Sequence, residues 1–285
     1  MRLAFLVGYL GTNFNGSQYQ PATRTIEGEF IHAGIELGLF NDSDSAQFQI
    51  SGRTDKGVSA RHQIISINTE YPEKAIDALN FKLPKDIWCI GVSEVPDDFN
   101  PRHAVSTRTY RYYFPYSGNI QKMNEAVQVL VGRHDFTRFS KIEPGKDPYR
   151  TVTNATVFSG SDGLPIFEIS AESFLWNMIR GISGCLALVG CDIVKPDTIQ
   201  NLLIQPGDRV HPTSSDALIL WDVKSNVEFK PMRQSTESMR ILGNISMSSI
   251  IQKRVSEAIL TENIDDLWKQ QLIREYPTVY RDYNN

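Results

Sequence analysis

"QFQISGRTDKGVSARHQIISINT", residues 47 to 69, decides how the first half of this chain folds. Phe48 and Ile50 alternate with polar neighbours, the period of a half-buried strand. "QIISINT", residues 63 to 69, reads as a second strand. The turn between them packs Arg53, Asp55, Lys56, Gly52 and Gly57 into a few residues. Upstream, Thr25 is placed to cap a helix whose apolar residues Ile26, Phe30, Ala33 and Leu37 recur at helical spacing. Before it, "RLAFLVGY" reads as a buried strand that ends in the turn-rich "LGTNFNGSQ". Downstream, "EKAIDALNFKL" reads as a helix and "IWCIGVSEV" as a strand. Strand, helix, strand, strand, helix, strand is the split βαβ order of ferredoxin-like domains.

The second half repeats that order with different residues. "STRTYRYYFPY" is a Thr- and Tyr-rich strand. Ile120, Met123, Val127 and Leu130 form a helical stripe. "RTVTNATVF" and "LPIFEISA" pair around the turn "SGSDG". Met178, Ile182, Cys185 and Val189 mark another helix, Pro196 starts a short one, and "ALILWDV" closes the unit as a strand. The expected fold class is α+β: two tandem ferredoxin-like units with antiparallel-rich sheets, residues 1–105 and 106–225, plus a C-terminal helical extension, 226–285. In that extension "SSIIQKRVSEAIL" and "IDDLWKQQLI" read as amphipathic helices, an appendage packed on the second unit.

The chain's 285 residues, 41% of them apolar, are enough for one large core or two small ones. A net charge of −4 rules out a basic coat, so nucleic-acid contact would need a local patch. Cys89, Cys185 and Cys191 form no C-x-x-C pair, which argues against a disulfide frame or a zinc site and suits a reducing compartment. No metal is expected. "LAFLV" is too short for a signal peptide or a membrane span, and no later run is long enough. The expectation is a soluble, cytoplasmic protein with no membrane partner.

The turn at Asp55 carries the chemistry. It follows a strand, where site residues commonly sit, and its glycines permit tight backbone and close approach of a ligand. Arg53 and Lys56 are cations that favour an ionised Asp55, which could serve as nucleophile or base. From the loop by itself, a surface turn that Asp55 caps while pairing with Arg53 is the stronger reading. "NPRHAVSTRTYRYYFPY", residues 100 to 116, holds Arg102, Arg108 and Arg111 with no acid, interleaved with Tyr110, Tyr112, Tyr113 and Tyr116. Alternation puts Tyr110 and Tyr112 on one face and Arg111 and Tyr113 on the other. Arginine forks onto phosphate, and tyrosine stacks on bases at about 1–3 kcal/mol each. That is a footprint of extruded nucleotides, or else a tyrosine-rich core strand with solvated arginines. In "ESFLWNMIRGISG", Arg180 borders an apolar stripe and needs an anionic partner; Asp55 is an available one.

These stretches, in this order, resemble the TruA-type tRNA pseudouridine synthases over most of residues 3–224. The family's Y-x-G-T-x-F-x-G-x-Q-x-Q segment matches Tyr9, Gly11, Thr12, Phe14, Gly16, Gln18 and Gln20. Its loop G-R-T-D-x-G-V is intact from Gly52 to Val58, and R-x-Y-R-Y matches Arg108, Tyr110, Arg111 and Tyr112. H-D-F-x-x-F matches His134 to Phe139, the M-[VI]-R helix start matches Met178 to Arg180, and the closing strand matches Ala217 and Leu218. Departures are Ser17 where Trp is common, Leu10 for an acid, Ala217 for a glycine, and no histidine before Met178.

The resemblance implies isomerisation of uridine to pseudouridine in the tRNA anticodon stem-loop, typically at positions 38 to 40, without cofactor, by a homodimer whose two subunits both touch RNA. It implies that Asp55 is the catalytic carboxylate, Tyr110 the stacking tyrosine and Arg180 the partner of Asp55. Substrate binding would fall to Arg53, Lys56, Gly57, Arg108, Arg111, Tyr112 and Leu218, with Arg53 tied to opening of the base stack and Leu218 lining the uracil pocket. Two other readings compete. A non-catalytic RNA-binding protein would be expected to carry a K/R-G-F-G-F-V-x-F segment, which is absent. A small-molecule glycosyl-transferring enzyme using Asp55 would not need the arginine–tyrosine strand.

Overall fold

The computed structural model describes residues 1–259 and 263–283. Along the chain run β1 (Arg2–Tyr9), α1 (Ile26–Glu36), α2 (Ser43–Ala46), β2 (Gln49–Ile50), β3 (Ser59–Asn68), α3 (Pro72–Lys82), β4 (Ile87–Val95), α4 (Pro101–Ala104) and β5 (Val105–Tyr113). Then follow α5 (Ile120–Gln128), β6 (Gly132–Asp135), β7 (Tyr149–Ser159), β8 (Pro165–Ala171), α6 (Met178–Gly190), α7 (Thr198–Ile204), β9 (Leu218–Ser225) and β10 (Lys230–Pro231). The last three are α8 (Thr236–Ile259), α9 (Ile264–Glu275) and α10 (Pro277–Tyr283). Thr25 caps α1 as expected, accepting from the Gly28 N–H. The strand expected over "QFQIS" shrinks to β2, because Gln47 takes a left-handed conformation that ends α2. The helix expected at Pro196 starts at Thr198. α8 starts at Thr236, well before Ser248, through a Gly-, Ser- and Asn-bearing stretch of low helix propensity that hid it. Residues 260–262, 284 and 285 of the expected extension lie outside the described residues.

The chain divides into two compact units: Met1–Arg108 with Ile219–Arg254, and Thr109–Leu218 with Val255–Asn285. In the first, the strand order is β10-β4-β1-β3-β9, with β2 on β3. β1 is antiparallel to both neighbours, pairing Phe5 with Ile65 and with Val92. A strand paired on both edges in a covered sheet buries both faces, which is why "RLAFLVGY" is almost continuously apolar. Its one charge, Arg2, is buried but not orphaned. Its guanidinium donates to the Phe99 carbonyl (2.8 Å), Asn68 Oδ1 (2.7 Å), Ser66 Oγ (2.7 Å) and Gln49 Oε1 (2.9 Å).

In the second unit the order is β5-β8-β7-β6, and β7 and β8 form an antiparallel hairpin. All of α6 is buried except Arg180. Its glycines allow close packing: a Cβ on Gly181 would lie 2.4 Å from the Phe139 carbonyl, and one on Gly184 2.5 Å from the Tyr276 ring. Leu272, Tyr276 and Val279 are buried, and Trp268 rests on Tyr116 with ring centroids 5.4 Å apart. Tyr283 accepts from the buried Arg138 at 2.9 Å. α9 and α10 are thus integral to this unit, whereas α8 buries Ser238 alone among its described side chains. All three cysteines are free and buried; burial pushes the Cys185 thiol up to about 12 and the Cys191 thiol to about 11.

The Tyr276–Gly184 contact makes a specific prediction. Gly184→Ala should cost about 1–3 kcal/mol of unfolding free energy by overpacking. In a Tyr276→Ala background, the same substitution should cost almost nothing in urea titrations, since the clashing ring is gone. Simple additivity would disprove the contact.

Candidate active site

The loop between β2 and β3, residues 51–58, sits on residues 10–17 of the same unit. The approach is backbone to backbone. A Cβ on Gly11 would lie 2.1 Å from the Val58 carbonyl, and Gly16, at φ +94°, faces the Thr54 carbonyl at 2.9 Å. No larger residue fits either place. Gly57, at φ +84°, turns the loop back, and its N–H donates to the Phe14 carbonyl at 3.3 Å. The Val58 N–H closes the turn on the Asp55 carbonyl at 3.2 Å. Asp55 is half-buried at the tip, with Arg53 and Lys56 exposed on either side.

The base of the loop is held by polar groups in the interior. The Ser51 hydroxyl bonds Gln63, whose Nε2 donates to the Gly52 carbonyl at 2.7 Å. Arg108, arriving on β5, is buried and points beneath the loop. Its Nε and Nη2 donate to the Ser51 carbonyl (3.2 and 2.6 Å), and other bonds reach the Arg102 (2.9 Å) and Val105 (3.3 Å) carbonyls. Higher up, the Tyr9 phenol and the Thr54 hydroxyl are 2.8 Å apart. Burial pushes the Tyr9 phenol up to about 12, against the opposing effect of its bonds to Thr54 and Gln63.

In the second unit β5 alternates as its sequence implies: Tyr110 and Tyr112 are buried, Arg111 and Tyr113 half-buried. Tyr110 stands edge-on to Phe174, centroids 5.3 Å apart at 84°. Tyr112 packs edge-on to Phe114 at 5.0 Å and hydrogen-bonds Thr213. Burial raises its phenol, and that bond and the nearby Arg180 charge oppose the shift. Arg180 Nε donates to the Thr213 carbonyl at 2.6 Å and Nη1 to Asn177 Oδ1 at 3.1 Å, while Thr213 N–H returns a bond to the Arg180 carbonyl at 3.2 Å. Leu218 is buried a few residues on, its N–H bonded to the Ser215 carbonyl. Arg111 meets Glu168 of β8 at 2.7 Å and lies over Phe158.

The expected site residues therefore form two groups. Arg53, Asp55, Lys56, Gly57 and Arg108 belong to the first unit; Tyr110, Arg111, Tyr112, Arg180 and Leu218 to the second. Reading the sequence missed Tyr9, Ser17, Gln63 and Thr213 as supports. Strand parity did carry one signal: Arg108 shares its face with Tyr110 and Tyr112, and so points inward with them. Elsewhere, His62 pairs with Asp222 at 2.9 Å. Among the described residues, no three His, Cys, Asp or Glu side chains are grouped as metal ligands, and no helix is long and apolar enough to cross a membrane.

Residues 126–225 match the family described as tRNA pseudouridine synthase. The chain is 51% identical over 281 residues to tRNA pseudouridine synthase A of Methanocorpusculum labreanum, covering 99% of this chain and 100% of that one. It is 39% identical over 272 residues to the protein of that name from Methanosphaerula palustris, covering 95% and 96%. Similarity to a solved Cbf5–Nop10–Gar1 complex is distant, with TM-score 0.34 and 13% identity over 65% of this chain and 45% of that one. The chain belongs to the tRNA pseudouridine synthases, in the branch named tRNA pseudouridine synthase A. The resemblance carried by its motifs is thereby borne out.

Two measurements test this geometry. Lysine cannot reproduce the Arg108 fork, so Arg108→Lys should lower unfolding free energy by about 2–3 kcal/mol while leaving the salt dependence of RNA binding unchanged. A lost phosphate contact would instead reduce the salt slope by about 1. For Tyr9, the phenol titrates near 10 when unfolded and near 12 when folded. Stability should be intact below the first value and fall as pH rises toward the second. Tyr9→Phe should remove that part of the alkaline loss.

Proposed function

We propose that this protein isomerises uridine to pseudouridine in the anticodon arm of tRNA, at positions 38 to 40, with Asp55 as the catalytic carboxylate. The observation that carries the reading is the intact G-R-T-D-K-G-V loop, built on the core of the first unit with Asp55 half-buried at its tip. The reaction breaks N1–C1′ and forms C5–C1′ with the same base. N1 gains a hydrogen and C5 loses one, so atoms balance without oxidant or reductant. The carboxylate could attack C1′, remove a sugar proton to give a glycal, or add to C6. In each route the freed uracil must turn without escaping. Tyr110 against Phe174, with Leu218 nearby in sequence to the Thr213–Arg180 pair, supplies aromatic and apolar wall for that turn. One carboxylate suits this chemistry, whereas glycoside hydrolysis uses two flanking a bond.

In this reading Arg180 is the cation that pairs with Asp55, and Tyr112 holds it through Thr213. Arg53, Lys56 and Arg111 meet the RNA and Gly57 lets it approach, whereas Arg108, expected from the sequence to bind substrate, is buried and in this reading supports the loop from below. The working form is a cytoplasmic homodimer. Tandem ferredoxin-like units over 1–105 and 106–225, with 226–285 as an extension, suit the observed elements. The order β4-β1-β3-β2, all neighbours antiparallel, supports it for the first. β5-β8-β7 supports it for the second.

tRNA labelled with tritium at uracil C5 tests the reading, since forming C5–C1′ must release the label. Purified protein should release it from the anticodon arm, and Asp55→Asn should lower release by at least about a thousandfold with RNA affinity within about twofold. Tyr110→Phe should keep binding and most of the rate; Tyr110→Ala should lose both. Undiminished release by Asp55→Asn would remove that residue from its role.

A further inference from the structure

We infer that Ser17 and Tyr9, acting through Thr54, are positioning residues for Asp55; this rests on Asp55 being the catalytic carboxylate. Thr54 immediately precedes Asp55, and every polar atom it has is engaged from inside the first unit. Its N–H donates to Ser17 Oγ at 2.9 Å, and its carbonyl accepts the Ser17 N–H at 3.0 Å and the Ser17 hydroxyl at 3.4 Å. Its own hydroxyl pairs with the Tyr9 phenol at 2.8 Å. A hydroxyl has one donor and two acceptor positions, so Ser17 can serve both backbone atoms at once. Ser17 is 0% exposed, Tyr9 1% and Thr54 6%, so water does not compete for these bonds.

Both far ends of the strut are anchored. Tyr9 is paired to Ala60 and to Ile87 at the end of β1. The Ser17 carbonyl accepts the Glu27 N–H in the first turn of α1. On the other side of Asp55, the Val58 N–H holds its carbonyl. The residue is thus tied on both sides to the sheet and helix of its unit, although it lies in a loop. Misplacing a catalytic group by about 1 Å can cost a hundredfold in rate, so the strut's contribution should appear in the chemical step and not in RNA binding.

Single-turnover rates and tRNA affinity of the full chain test this. Thr54→Val and Ser17→Ala should each lower the single-turnover rate at least about tenfold, with affinity within about twofold. Thr54→Ser, which keeps the hydroxyl, should return to within about threefold of the parent. Thr69→Val is the stability control. It removes a buried threonine hydroxyl that donates to the Leu39 carbonyl at 3.0 Å, beyond the opposite end of β3, and should leave the rate unchanged. Parental rates in both Thr54→Val and Ser17→Ala, or an equal loss in Thr69→Val, would overturn the inference; if Thr54→Val fails to fold, Ser17→Ala decides. Asp55→Asn, measured alongside, separates the two ideas. If it turns over normally, the catalytic assignment fails; if it is dead while the strut variants are normal, only the positioning role fails.

Discussion

The chemistry proposed here depends on one close approach of backbone to backbone, residues 10–17 against the loop that carries Asp55. It is possible only because Gly11 and Gly16 present no Cβ where the Val58 and Thr54 carbonyls lie. Around that seat, Tyr9, Ser17, Gln63 and Arg108 satisfy buried polar atoms that a loop would otherwise turn to water. A loop held this way is fixed before substrate arrives, as a carboxylate meeting an extruded nucleoside requires.

The second unit fixes its residues differently. Arg180 is the one incompletely buried residue of α6, and its guanidinium is steered by the Thr213 carbonyl and Asn177. The helix itself is wedged from several sides, at Gly181 by Phe139 and at Gly184 by Tyr276 from the C-terminal helices. Several arginines of this mildly acidic chain serve the interior: Arg2, Arg108 and Arg138 are buried, and each donates to backbone carbonyls.

Much of this was legible in the residues. Strand and helix order, the Thr25 cap and the alternation along β5 follow from periodicity and capping chemistry. The loop motif pointed to Asp55 directly. Less legible were features set by long-range partners. Nothing local says that Ser17 bonds Thr54 across 37 positions, or that Glu168 answers Arg111 across 57. α8 runs upstream of the helix legible from Ser248, through Gly243, Asn244 and several serines, residues of low helix propensity that carry little local signal. The role of Arg108 was open to a parity argument, but its carbonyl partners were visible only once the chain had folded.

Amide hydrogen exchange on the RNA-free protein tests the preformed loop most directly. The N–H groups of Thr54, Gly57 and Val58 should exchange within about tenfold of core β1–β3 amides, far more slowly than Gly145, which has open space around it. Exchange at Thr54 and Gly57 as fast as at Gly145 would mean that the loop is not held by its seat, and the account would fail.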